Sequence, residues 1–345
     1  MNQAVLENKL LQLATGHQLA AALYFVTVNK IPDCLKDGPR TAEDVAAAVG
    51  LPARSVYRLL RAMTTSGIFR LQDGRFSLTE ISDLLRTDHA RSQRSKILLA
   101  ASDLDVWSRL GEAVELEDAI PDVKKDWYLE WGRDEDPIMI FDKAMRSYYF
   151  DAPAPLLGIY DFDSINTLVD IAGGDGGHLI EILKAHPDMK GILYEQPETA
   201  RRAQGYISEA GLSGRCVCVA GDFFKPESIP GDGDAYMMRN IMHCWADEPC
   251  RQILTNIAAR MPDTARILVM EQKLPSSDEQ LNDCVEHWGV TPAWWDMLML
   301  LWFGGAERTE DEFKTLYEAA GLKLTNVLEG RLGTVVYEGA KASAI

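Results

Sequence analysis

The chain is expected to be an α/β protein, with a mostly parallel, Rossmann-like sheet preceded by a helical, winged-helix-like N-terminal domain. Three observations lead there. From Asp163 onward, the apolar runs Thr167–Ile171, Ile192–Glu195, Cys216–Ala220, Ala235–Met238 and Arg266–Glu271 alternate with helix-like stretches. That alternation gives a parallel sheet covered on both faces. The first run breaks into a glycine turn, Gly173 to Gly177, before a helix-like segment, the order of a βαβ ligand-binding unit. Upstream, residues 1–97 show helical spacing and end in a hairpin signal.

Residues 1–30 read as helical, with Leu6, Leu10, Leu13, Leu19 and Leu23 near helical spacing. The run Ala20–Val28 is apolar on nearly all sides, and such a helix must be buried. A second subunit can supply that cover. Thr41-Ala42-Glu43-Asp44 reads as a capped start for a helix over 44–49, and Gly50-Leu51-Pro52 turns the chain into a second helix over 53–65. Asp73-Gly74, between Phe69-Arg70-Leu71 and Arg75-Phe76-Ser77-Leu78, marks a hairpin. Two helices at a sharp turn followed by a hairpin make a winged-helix pattern. Arg54, Arg58 and Arg61 on the second helix would suit DNA phosphates. The net charge of −17 and the nearby Glu43, Asp44 and Asp73 argue for a solvated face instead.

The expected division is 1–97 and 98–345, with 98–160 a mostly helical connection and pocket cover. There the acidic loop 132–137 reads as solvated, and Trp107, Trp127 and Trp131 as packing. From Gly339 the chain reads as a tail.

A hydrophobic fraction of 47% and a charged fraction of 25% are ordinary for a globular protein with a sizeable core. The acidic balance excludes a polyanionic partner such as nucleic acid on electrostatic grounds. Six cysteines without a regular framework point to a reduced, cytoplasmic protein. Cys216 and Cys218 share a strand face but fall short of four zinc ligands, so no metal is expected. No apolar run nears the roughly 20 residues that span a bilayer, and residues 1–7 lack the features of a signal peptide.

The segment Leu168-Val169-Asp170-Ile171-Ala172-Gly173-Gly174-Asp175-Gly176-Gly177-His178 carries the strongest functional signal. Glycines let a backbone approach a ligand closely. Glu195, at the end of the next strand, can accept two hydrogen bonds from a ribose diol. Asp170 and Asp175 would repel a pyrophosphate, whereas an S-adenosyl group brings a sulfonium and an ammonium. Asp222 and Phe223 then offer a carboxylate and an aromatic face for an adenine.

The segments LVDIAGGDGG (168–177), GDFF (221–224), MRNIMHCWADE (238–248), VMEQKLP (269–275) and GGAERTEDEF (304–313) occur in that order. In them the chain resembles the S-adenosylmethionine-dependent O-methyltransferases of the plant caffeate and bacterial natural-product type. The resemblance implies that Asp170, Gly174 and Gly176 line the methionine end, that Glu195 holds the ribose, and that Asp222 and Phe223 meet the adenine. Arg239 then stands where the family has a lysine. It also implies a homodimer through the N-terminal helices, whose winged-helix module closes the partner's active site.

Methyl transfer to a hydroxyl requires in-line positioning and removal of a proton. His243, just after the strand Ala235–Met238, is the candidate base. Functional groups in open α/β sheets gather beyond the strand carboxyl ends. Glu271, ending the following strand, is expected to hold the imidazole. By resemblance Glu271 and Glu307 flank it, and Glu307 could also cap the helix over 310–320. The acceptor, a small aromatic or polyketide-like molecule, is expected against Trp295, Asp296, Met299 and Trp302, with Met145 added by resemblance. Met297 and Leu298 read as core. Departures from the family pattern are Cys244 for an aspartate, Ala172 for a glycine and Glu195 for an aspartate. The alternatives are N- or C-methylation, non-methylating chemistry on the same scaffold, and a ligand-sensing winged-helix regulator.

Overall fold

The computed structural model describes residues 2–101, 103–120, 140–141, 143–145, 155–282, 290–330 and 333–344. Trp127, Trp131, the acidic loop 132–137 and Cys284 lie outside these residues. The chain divides into two compact units, residues 1–109 with 126–150, and residues 110–125 with 151–345.

The first unit contains α1 (Gln3–Ala14), α2 (Gly16–Val28), α3 (Ala42–Val49), α4 (Ala53–Thr65), the strands β1 (Phe69–Gln72) and β2 (Arg75–Leu78), and α5 (Arg94–Ala101). The first thirty residues are two helices rather than one. They separate at Thr15, whose hydroxyl turns back to donate to the Leu11 carbonyl at 2.8 Å. Only Val26, Thr27 and Val28 of α2 are buried, and α1 buries nothing. The large exposed apolar face therefore belongs to α1, through Leu6, Leu10, Leu11 and Leu13. At α3, Thr41 accepts from the Asp44 N–H while Asp44 accepts from the Thr41 N–H, a reciprocal cap. Asp73 and Gly74 both adopt positive φ, 49° and 73°, as a two-residue hairpin turn demands, and so pair Gln72 with Arg75. Arg54, Arg58 and Arg61 are exposed.

The second unit is built on a seven-stranded sheet of order β5-β4-β3-β6-β7-β9-β8. Its strands are β3 (Thr167–Ile171), β4 (Lys190–Glu195), β5 (Cys216–Ala220), β6 (Ala235–Arg239), β7 (Arg266–Gln272), β8 (Leu322–Glu329) and β9 (Thr334–Lys341). β3 to β7 pair in parallel, whereas β9 runs antiparallel to both β7 and β8. Gly339 is thus not the start of a tail but a rung of β9 opposite Ile267. The sheet helices are α6 (Gly177–Ala185), α7 (Pro197–Glu209), α8 (Asp247–Arg260), α9 (Pro292–Phe303) and α10 (Glu310–Ala319).

Alternation along each strand divides the core in two. On one face Val169, Ile171, Ile192, Tyr236, Ile267 and Val269 pack with Ile253 and Ile257 of α8 and Phe313 and Tyr317 of α10. On the other, Leu168, Leu193, Met237, Leu268 and Met270 pack with Leu179, Ile182 and Leu183 of α6 and Ile207 of α7. The chain winds from β3 out to β5, then returns to place β6 on the opposite side of β3. That reversal opens a crevice at the strand carboxyl ends. Among the described residues no helix is long and apolar enough to cross a membrane.

Candidate active site

Ladder-like hydrogen bonds continue past the strand ends and fix the crevice walls. The Ala172 N–H donates to Tyr194 O at 2.8 Å, and the Gly221 N–H to Glu195 O at 2.9 Å. The crevice has a volume of about 370 Å³ and is lined by Ala172, Glu195, Gly221, Asp222, Phe223 and Trp245, among others. Phe223, Phe224 and Trp245 meet edge to face, with ring centroids 5.0 to 5.9 Å apart, and form an aromatic wall. Ser228 pins the loop after β5: its hydroxyl donates to Asp222 O at 3.0 Å and lies 2.7 Å from the Tyr194 hydroxyl. Gly221 must be glycine, since a Cβ there would overlap the buried Tyr194 ring.

The glycine turn divides its labour. A Cβ on Gly173 would run into the Asp170 carboxyl and Leu193, so no side chain fits there. Gly174 and Gly176 adopt φ of 60° and 81°, and the space beside Gly174 is open. Ala172 sits at φ 56°, a conformation costly for a residue with a Cβ. Ala172→Gly is therefore expected to stabilise the ligand-free protein by about 0.5–1 kcal/mol, the strain relieved less the added chain entropy. An unchanged melting temperature would refute this.

Asp170 is buried at the base of the turn. Burial, then the charges of Glu195 and Asp175, push its pKa up to about 8 against the opposing pull of Arg239. Arg239 contacts the His178 ring, and burial together with that guanidinium keeps His178 neutral. Carboxylates around an aromatic slot suit a cationic adenosyl group and disfavour a pyrophosphate.

Trp245 links this crevice to a second cluster. His243 lies two residues earlier, on the single 3₁₀ turn Met242–Cys244, and is 5% exposed. Its Nδ1 is 2.7 Å from Glu307 Oε1 and 3.6 Å from Glu271 Oε2. Glu307, not Glu271, holds the imidazole. Glu271 instead accepts the N–H groups of Ile241 at 3.0 Å and Met242 at 2.8 Å, which anchors the turn to β7. Nor does Glu307 cap a helix: Thr309 caps α10 together with Glu312. Burial by itself would favour neutral His243. The charge of Glu271, then the Cys244 side chain and Glu307, overcome it and hold the imidazole pKa well above its ordinary value. Burial, reinforced by Glu307, raises the Glu271 carboxyl in turn.

On α9, Met299 and Trp302 are buried, while Met297 and Leu298 are only half-buried. Met297 and Leu298, expected as core, are therefore not fully buried. Trp295 is half-buried. Asp296 Oδ1 accepts the Glu307 N–H at 2.8 Å, so one carboxylate oxygen is spent on holding the Glu307 loop. Met145 belongs to the first unit.

Two residues of this site escape a reading of the sequence. A Cβ on Gly305 would overlap the His243 carbonyl and the Cys244–Trp245 backbone, so only glycine lets its loop lie on the histidine turn. Arg308, 2% exposed, donates to the carbonyls of Met242 at 3.1 Å and Trp245 at 2.7 Å. The sole signal was their place in Gly304-Gly305-Ala306-Glu307-Arg308-Thr309.

The O-methyltransferase domain model matches residues 116–323, and the O-methyltransferase dimerisation domain model matches residues 11–88. The chain is 31% identical over 337 residues to the phenazine O-methyltransferase PhzM of Lysobacter antibioticus, covering 96% of each chain. Among solved structures it resembles the mitomycin 7-O-methyltransferase MmcR, with a TM-score of 0.87, 29% identity and 99% of each chain covered. It also resembles an O-methyltransferase from neocarzinostatin biosynthesis, solved with S-adenosylmethionine and 2-hydroxy-5-methyl naphthoic acid. There the TM-score is 0.79 and the identity 26%, over 94% of this chain and 96% of that one.

Proposed function

The chain belongs to the O-methyltransferase family and is an S-adenosylmethionine-dependent enzyme; from that premise we propose that it methylates a hydroxyl of a small aromatic or polyketide-like molecule with His243 as general base. The observation that carries this is the buried His243–Glu307 pair, 2.7 Å apart, on a turn whose Trp245 is part of the crevice wall. The crevice residues fit the cofactor. Asp170, Gly174 and Gly176 would face its methionine end, Glu195 the ribose, Asp222 and Phe223 the adenine, and Arg239 the same neighbourhood. When bound, it supplies a methyl group already activated by sulfonium charge.

The protein's own work is proton removal and alignment. Glu307 engages Nδ1, which leaves Nε2 to take the acceptor's hydroxyl proton. The imidazolium so formed is stabilised by the buried carboxylates of Glu307 and Glu271. Trp295, Asp296, Met299 and Trp302 on α9 are the proposed acceptor contacts.

Calorimetry with S-adenosylhomocysteine, followed by a metabolite screen for a one-methyl mass gain, tests the reading. Folded protein that binds no S-adenosylhomocysteine would end it. A product with another mass change would move it to non-methylating chemistry.

The homodimer forms through the N-terminal helices. Support comes from the dimerisation-domain match and from α1, whose Leu6, Leu10, Leu11 and Leu13 are 52–69% exposed in a single chain. Light scattering is expected to give twice 38.4 kDa, and Leu10→Glu with Leu13→Glu to give the monomer. A wild-type monomer at micromolar concentration would refute this.

A further inference from the structure

We propose that Arg308 is a positioning residue for His243, one arm of a charged clamp that sets the geometry and basicity of the base. The proposal rests on the reading of His243 given above. All five guanidinium N–H donors are engaged. Nη1 donates to Met242 O at 3.1 Å and Ala306 O at 3.0 Å, and Nη2 to Trp245 O at 2.7 Å and Asp247 Oδ1 at 2.9 Å. Nε donates to Asp247 Oδ1 at 3.0 Å. A cation this deeply buried is tolerated only when fully bonded, and the guanidinium fork reaches several acceptors that an ammonium cannot reach together.

The acceptors matter because of where they lie. Met242 and Trp245 bracket the short turn that carries His243. A single-turn 3₁₀ segment has little hydrogen bonding of its own to hold it. From one side Glu271 accepts the N–H groups of Ile241 and Met242. From the other side Arg308 donates to the carbonyls of Met242 and Trp245. An anion on the donors and a cation on the acceptors fix both polarities of the same turn. The buried Cys250 thiol adds a weaker bond to the same two carbonyls, at 3.2 and 3.4 Å.

Arg308 also follows directly after Glu307. Tying this loop to the histidine turn sets the 2.7 Å contact between Glu307 and His243 Nδ1. Its two bonds to Asp247, the first residue of α8, extend the brace to the next helix.

The test reads His243 directly. Histidine ring titration by NMR in the ligand-free protein, assigned by loss of a signal in His243→Ala, gives the imidazole pKa without any turnover. In Arg308→Lys the His243 pKa is expected to fall toward its ordinary value. kcat is expected to drop about 10²-fold, as for a misplacement near 1 Å, with S-adenosylhomocysteine affinity retained. Millimolar guanidinium added to Arg308→Ala is expected to restore part of both. Asp247→Asn, which changes a largely exposed carboxylate, is the second variant should those fail to fold, and is expected to shift the titration the same way by less. A folded Arg308→Lys or Asp247→Asn with the wild-type His243 titration overturns the proposal. Full activity in His243→Ala would instead sink the base assignment, while the titration shift would still report on Arg308.

Discussion

His243→Ala lowers kcat by about 10²–10⁴-fold, the usual contribution of a positioned general base, and leaves S-adenosylhomocysteine affinity nearly unchanged. The pH dependence separates this from a packing defect. The base must be neutral to accept a proton, and Glu271 and Glu307 hold the imidazole pKa well above its ordinary value. Wild-type rate at saturating substrates is therefore expected to rise with pH through neutrality and to level off only on the alkaline side. Glu307→Gln removes one of the charges that raise the pKa, so its profile moves to lower pH even as the maximum falls. Near-full activity in His243→Ala would mean that proximity alone drives the reaction, or that the acceptor is already ionised.

Asp170→Asn is expected to give a more stable protein that no longer holds its cofactor well. In the ligand-free fold Asp170 has its pKa pushed up to about 8, against about 3.9 in an unfolded chain. A group with a raised folded pKa contributes stability in full below its unfolded value and loses it as pH rises through the folded one. Between roughly pH 4 and 8 the free protein is thus progressively penalised for this carboxyl, each pKa unit being worth about 1.4 kcal/mol. Asparagine carries no such penalty. At pH 7.5 the melting temperature of Asp170→Asn is expected to exceed that of wild type, by about 2–4 °C for each kcal/mol recovered. Calorimetry is expected to show S-adenosylhomocysteine affinity down about 10–100-fold, the loss of a charge-assisted contact. A variant that binds as tightly as wild type would remove Asp170 from the cofactor's surroundings.

The parallel strands were legible because each is an apolar run bounded by turn residues, and buried strands need little more. β8 was not. Its alternation, Leu322-Lys323-Leu324-Thr325-Asn326-Val327, slips phase where the register shifts between Leu324 and Asn326, and the period of two disappears with it. β9 was hidden by Gly339, which looks like the end of order. It is glycine because a Cβ would strike the Tyr317 ring. In the site, the residue types spoke through their chemistry, so His243 and its two glutamates could be named. Their division of labour could not, because which carboxylate meets the ring and which meets the backbone depends on distances of an ångström. Arg308 and Gly305 act on the backbone of a turn far away in sequence, and a contact of that kind leaves no periodicity behind.

The place of β9 has a consequence for how the chain is made. β7, which carries Glu271, is flanked on one side by β6 and on the other by β9, so that Ile267 waits for Gly339. While the ribosome is still reading through α9 and α10, the sheet can close only as far as β7, whose outer backbone groups stay open. A long apolar edge of that kind is the usual starting point for pairing between chains. In the nascent protein the strand that later steadies the base is thus an open edge for pairing between chains. Its protection comes from whatever shields that edge until the final strand slides in between β7 and β8.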